Sequence, residues 1–171
     1  MKIREARSED ASAMARVHVD AWQTAYRGVV PQEHLDGLSY AHRTEKFREF
    51  LRPDSARGTY VAVQDSEIIG FLIVGDCRDE DLERSAVGEI WGVYVHPSAW
   101  RRGIGRLLCN RGTDLLRESR HSEAVLWVLA GNARACRFYE TIGFLPDGAE
   151  KMVPLGTPMR AIRYRKSIAT A

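Results

Sequence analysis

A short basic run with two glycines is the first place where this chain can do chemistry: His96-Pro97-Ser98-Ala99-Trp100-Arg101-Arg102-Gly103-Ile104-Gly105-Arg106. A strand-like stretch ends at His96-Pro97, and an amphipathic helical pattern follows the glycines. A turn at such a junction aims several backbone N–H groups at one spot, and the helix dipole adds positive potential there. Glycine removes side chains that would crowd an anion, and arginine adds charge and hydrogen-bond donors. The local chemistry favours an anion, most simply a phosphate. The run is not a Walker loop, which needs G-x-x-x-x-G-K-S/T, and Leu108 stands where a dinucleotide fingerprint needs its third glycine. Taken alone, two glycines fit a plain helix start as well as a ligand site.

The elements around the turn follow from periodicity. Lys2 to Ala6 reads as a short first strand. Ser8 is a candidate helix cap, with Glu9 and Asp10 suited to the positive end of the dipole. Ala11, Met14, Ala15, His18, Ala21, Trp22 and Ala25 recur at helical spacing, and Gly28 and Pro31 end that helix. A second helix is predicted from about Tyr40 to Leu51, before Pro53. Thr59–Val63 and Ile68–Val74 read as a hairpin broken at Gln64–Glu67. Cys77 to Ser85 is polar and acidic and reads as a solvated loop. Ile90–Val95 is the strand stopped by Pro97. Ile104, Leu107, Leu108, Leu115 and Leu116 form one face of the following helix. Ala124–Ala130 is an apolar run suited to a strand buried on both faces. Asn132 suits a cap for a helix through Ile142, closed by Gly143. A strand pair, about Phe144–Val153 and Met159–Lys166, ends the pattern. Alternating helices and strands imply a mixed α/β layer fold.

Composition narrows the class. The chain has 171 residues, 44% hydrophobic, with a net charge of only +2. One domain spanning 1–171 is expected. No Lys/Arg stripe suggests nucleic-acid binding. Cys77, Cys109 and Cys136 have neither disulfide-framework parity nor zinc spacing, which predicts no metal and a reducing, cytoplasmic setting. The charged start, Met1-Lys2-Ile3-Arg4-Glu5, is unlike a signal peptide, and no apolar stretch is long enough to span a bilayer.

The segment Glu89–Arg106 resembles the central motif of the GNAT superfamily, the GCN5-related N-acetyltransferases. The family turn reads Gln/Arg-x-x-Gly-x-Gly/Ala; here it reads Trp100-Arg101-Arg102-Gly103-Ile104-Gly105, so Trp100 departs from the pattern. A second block, Leu126-x-Val128-x-x-x-Asn132-x-Arg134-Ala135-x-x-Phe138-Tyr139-x-x-x-Gly143-Phe144, resembles the next family motif nearly throughout. Two motifs in order are far more specific than either alone. The resemblance covers about the C-terminal half of the core. It implies a mixed, mostly antiparallel sheet with a central, splayed parallel strand pair, flanked by about four helices.

The resemblance also implies roles. Acetyl-coenzyme A would be the co-substrate, its pyrophosphate on the main-chain amides of Arg101, Arg102, Gly103, Ile104, Gly105 and Arg106. Its pantetheine arm would pair with the backbone of Val93, Tyr94 and Val95, residues that also suit a core strand. Asn132 would bond the arm or cap its helix, and Phe138 would lie along the cofactor or pack in the core. Tyr139 is the implied general acid, a phenol that stays protonated at neutral pH. Glu89 is the implied base, or else an edge charge at a strand start. Direct transfer in a ternary complex is expected, with Cys109 and Cys136 as buried structural thiols rather than acetyl carriers. In the family the first helices roof the acceptor pocket, which brings in Trp22, Tyr26, His34 and Tyr40, with Trp91 and Tyr94 as its floor. Trp22 equally suits the core. The acceptor is a primary amine, on a small molecule or at a protein N-terminus or lysine. A homodimer is common in the family. The competing reading is a cofactor-binding sensor or a degenerate member of the fold without transfer activity.

Overall fold

The computed structural model describes residues 1–52 and 58–169. Pro53, expected to close the second helix, lies outside them. One seven-stranded sheet has the order β1-β2-β3-β4-β5-β7-β6. Its strands are β1 (Lys2–Glu5), β2 (Thr59–Gln64), β3 (Glu67–Asp76), β4 (Val87–Val95), β5 (Glu123–Leu129), β6 (Leu145–Leu155) and β7 (Thr157–Ser167). All neighbours pair antiparallel except β4 and β5, the parallel pair. The helices are α1 (Ala11–Ala25), α2 (Gln32–Asp36), α3 (Tyr40–Phe50), α4 (Ile104–Glu118) and α5 (Ala133–Thr141). The sheet is mixed and mostly antiparallel, as expected; the five-residue α2 adds to the expected four helices.

The apolar stripes read from sequence set the two layers. Ile104, Leu108 and Leu116 of α4 pack with Leu72, Val74, Ile90 and Leu126 on one face of the sheet. Met14, Ala15 and Val17 of α1 pack with Phe47 of α3 and with Val61 and Phe71 on the other. Alternation along each strand sends successive side chains to opposite layers.

Three local expectations are corrected. Ser8 does not cap α1: Ser8–Asp10 forms a 3-10 turn, and Ser8 Oγ donates to the Leu51 carbonyl. Asp10 holds the N-cap position of α1 without a side-chain cap bond; its carboxylate instead closes the 3-10 turn, accepting from the Arg7 N–H at 2.7 Å and from Arg4. β4 starts at Val87, three residues before the predicted Ile90. Gly88 lies inside it because Leu116 fills the space a side chain would need; a Cβ there would meet Leu116 Cδ2 at 2.4 Å. Finally, the acidic 77–86 loop is not simply solvated. Asp79 and Asp81 bond Arg163 of β7, which Asp147 also holds at 2.7 Å, so the loop is tied across the sheet.

Candidate active site

β4 and β5 pair only from Val87–Ile90 with Glu123–Leu126. Beyond that, β4 continues with β3, and β5 continues with β7. The two strands therefore splay, and a cavity of about 640 Å³ opens in the wedge. His96 N–H donates to Ile69 O on the β3 side. Alternation of backbone direction then turns the N–H and C=O of Val95 and Val93 away from β3, into the wedge. Tyr94 keeps its backbone in the β3 ladder opposite Phe71 and offers only its side chain to the cavity. That corrects the expectation that three consecutive residues would offer main chain.

At the wide end of the wedge stands the glycine turn. Arg101 and Gly103 have φ of 61° and 80°. The left-handed value suits glycine, and no atom lies within 4 Å of where a Gly103 Cβ would sit. α4 begins at Ile104, so the amides of Ile104, Gly105 and Arg106 have no partner in the helix. Gly105 lets Phe138 approach, since a Cβ would meet its ring at 3.2 Å. Arg101, Arg106, Arg134 and Arg137 line the cavity. None of the four has an ion-pair partner among the described residues. Arg102 turns away to Gln64. An open amide cradle with four unpaired guanidinium groups fits a polyanion such as a nucleotide pyrophosphate.

Trp100, the departure from the family turn, and Arg134, within the second motif, carried no site role from sequence. The Trp100 indole donates to the Val95 carbonyl at 2.7 Å, and the Arg134 guanidinium stacks over its ring at 3.4 Å. Trp100 thus fills the position of the family's Gln or Arg and covers one wedge-facing backbone acceptor. Trp127 was also missed; it lies on β5 across the wedge from Trp91. The signal was available in the alternation of the apolar β5 run.

Of the predicted acceptor residues, Trp22, Tyr26, Trp91 and Tyr94 line the cavity. His34 and Tyr40 do not: His34 lies beside Gly156, and Tyr40 donates to Asp20 at 2.5 Å. Trp91 is the extra residue of a β-bulge in β4 opposite Ile73/Val74. The bulge re-aims its side chain onto Gly75, and its indole donates to the Asp76 carbonyl.

Asn132 is buried, and its side-chain oxygen caps α5 by accepting from the Ala135 N–H at 3.1 Å. It lines the cavity as well, together with Phe138 and Tyr139. Burial pushes the Tyr139 phenol well above its ordinary value, so it stays protonated at neutral pH. Cys109 is buried, which pushes its thiol up to about 12; neither it nor Cys136 lines the cavity.

Glu89 does not fit the geometry of a base facing the acceptor. It is 1% exposed and outside the cavity lining. Its carboxylate accepts from the Arg78 backbone N–H at 3.0 Å and from the guanidinium at 3.1 and 2.5 Å. Arg78 in turn stacks over Trp91 at 4.9 Å. Both carboxylate oxygens are thus taken up by Arg78 on the far side from the cavity lining.

Comparison with known proteins agrees with this geometry. Residues 11–144 match the profile of the acetyltransferase (GNAT) family, and the chain belongs to that family. It is 31% identical over 131 residues to the N-acetyltransferase YuaI of Bacillus subtilis, covering 76% of this chain and 72% of that protein. An N-acetyltransferase of Archaeoglobus fulgidus is 31% identical over 141 residues, covering 81% of this chain and 89% of that one. Among solved structures, the PaiA N-acetyltransferase from Thermoplasma acidophilum in complex with coenzyme A superposes with a TM-score of 0.76 at 20% identity, over 97% of this chain and 98% of that one. At that identity the likeness establishes the fold. Among the described residues no helix is long and apolar enough to cross a membrane. No group of three or more His, Cys, Asp or Glu among them is placed to hold a metal ion.

Proposed function

We propose that the protein transfers an acetyl group from acetyl-coenzyme A to a primary amine by direct attack in a ternary complex. The single observation that carries this reading is the wedge. The Val93 backbone and the Val95 N–H, turned away from β3, the glycine-turn amides and Tyr139 all face one cavity. The pyrophosphate is assigned to the amides of 103–106 with Arg101, Arg106, Arg134 and Arg137 beside them. The pantetheine arm is assigned to the backbone of Val93 and Val95, which support it by pointing into the gap. Asn132 and Phe138 form its wall. A backbone N–H at Val93 or Val95 polarises the thioester carbonyl, a donor most effective when charge develops on that oxygen. Tyr139 protonates the departing thiolate. Glu89 is a positioning residue, holding Arg78 against Trp91 at the acceptor wall.

Calorimetry with acetyl-coenzyme A, followed by a free-thiol assay over an amine panel, tests the proposal. Binding with thiol release on adding an amine is expected. No binding overturns the reading, and binding without turnover across the panel assigns the protein to cofactor sensing instead.

A further inference from the structure

The proton inventory of the cavity wall carries an inference about the acceptor, resting on the transfer reading above. A wall that carries proton donors but no proton acceptor selects for an amine that arrives already neutral. The ionisable side chains that line the cavity on the described residues are tyrosines and arginines. Burial raises Tyr26 to about 12 and raises Tyr94 and Tyr139 as well, so all three are protonated at neutral pH. The four arginines belong to the glycine turn, α4 and α5. Arg134 is lowered by burial and by Arg101, but arginine in proteins remains a cation.

The groups packed behind the wall are also spent. Glu89 is held by Arg78. Asp79 takes the Trp127 indole N–H, Arg163 and Lys151. His18 stacks on Trp22 and Tyr94, and burial together with Arg43 depresses it to about 3, leaving an imidazole too weakly basic to deprotonate an ammonium. His96 is turned to Asp20 and Ser98.

We infer that the acceptor is a weakly basic α-amine next to a carbonyl, an amino-acid amide or a peptide N-terminus, with an apolar or aromatic flank. Such an amine, with a pKa near ~7.7–8.0, is about one-tenth neutral at pH 7, whereas an alkylamine near ~10.4 is neutral to less than about one part in a thousand. Trp22, Tyr26, Trp91, Tyr94 and Trp127 supply the aromatic faces for the flank. The neutral nitrogen attacks the thioester carbon; the C–N bond forms and the C–S bond breaks. Sulfur leaves with the bonding pair and takes the Tyr139 proton. The nitrogen loses its surplus proton to water, and water returns one to Tyr139, giving amide and free thiol.

The test compares phenylalaninamide with phenethylamine, which share a phenyl flank, using thiol release from acetyl-coenzyme A across pH 6 to 10. At pH 7 the amide is expected to have the higher kcat/KM by roughly a few hundredfold, near the ratio of neutral amine. The amide's profile flattens near pH 8 and that of phenethylamine keeps rising. A Phe-initiated dipeptide amide shows whether peptides serve as well. A common inflection below pH 7 for both amines overturns the inference, because it reports a base on the protein. Equal rates at pH 7, or turnover of neither α-amine while alkylamines react, also overturn it. Failure of acetyl-coenzyme A to bind overturns the transfer reading itself, and calorimetry separates the two.

Discussion

Tyr139 is half-buried between Phe138, Phe144 and Tyr164, with ring centroids 5.2, 6.2 and 6.3 Å away. That apolar surround keeps the phenol protonated beyond the pH at which a free phenol ionises. Tyr139→Phe keeps the ring and removes the proton. It is expected to lower kcat roughly 10²–10⁴-fold with little change in the acetyl-coenzyme A dissociation constant. Steady-state rates with calorimetry check it, and equal rates would remove the acid role. His18 makes a separate prediction. Its folded pKa of about 3 lies below its ordinary 6.5, so between those values the unfolded chain binds more protons. Stability therefore rises with pH through that window and falls on acidification, by at most about 1.4 kcal/mol per pH unit from this residue. His18→Phe is expected to flatten the dependence of urea midpoints between pH 4 and 6.5. Much of this residue scale was legible beforehand: Tyr139, Asn132 and Phe138 follow from one motif, and all three line the cavity. The environment of Glu89 was not legible, because its partner Arg78 lies eleven residues away across a loop without periodicity.

The elements that aim these side chains depend on a few close approaches. The bulge in β4 works only because Gly75 leaves room for the Trp91 indole; a Cβ on Gly75 would lie 2.6 Å from Trp91 Cζ2. Gly75→Val is expected to displace the indole, cost about 1–3 kcal/mol of stability, and raise the acceptor KM while acetyl-coenzyme A still binds. Thermal melts and a KM-against-kcat comparison check this. Element type was readable almost throughout, because apolar spacing at 3.6 or 2 residues is enforced by which layer each side chain enters. Boundaries were less so. Gly88 looks like a strand breaker until Leu116 is seen filling its place, and Ser8 looks like a cap until its hydroxyl is seen donating to the Leu51 carbonyl. Both depend on tertiary partners that a linear pattern does not contain.

At the scale of the whole molecule, the mostly antiparallel sheet and its central parallel pair followed from the family resemblance rather than from residue chemistry alone. The tie between the acidic loop and β7 did not. Arg163 is 5% exposed and collects Asp79 and Asp81 from the β3–β4 loop and Asp147 from β6. Removing it strands carboxylates in a partly dry setting, so Arg163→Met is expected to lower stability by about 3–5 kcal/mol. Calorimetric melting checks that figure, and an unchanged melting temperature would show the cluster to be dispensable. The wedge has one more consequence. The chain has four tryptophans, Trp22, Trp91, Trp100 and Trp127, and every one of them lines the same cavity. The long-wavelength emission of the native protein therefore originates almost wholly at the site, with no indole elsewhere to dilute it. An unlabelled sample carries its own optical probe of occupancy, and the Trp100 indole, bonded to Val95 and covered by Arg134, is placed to respond first.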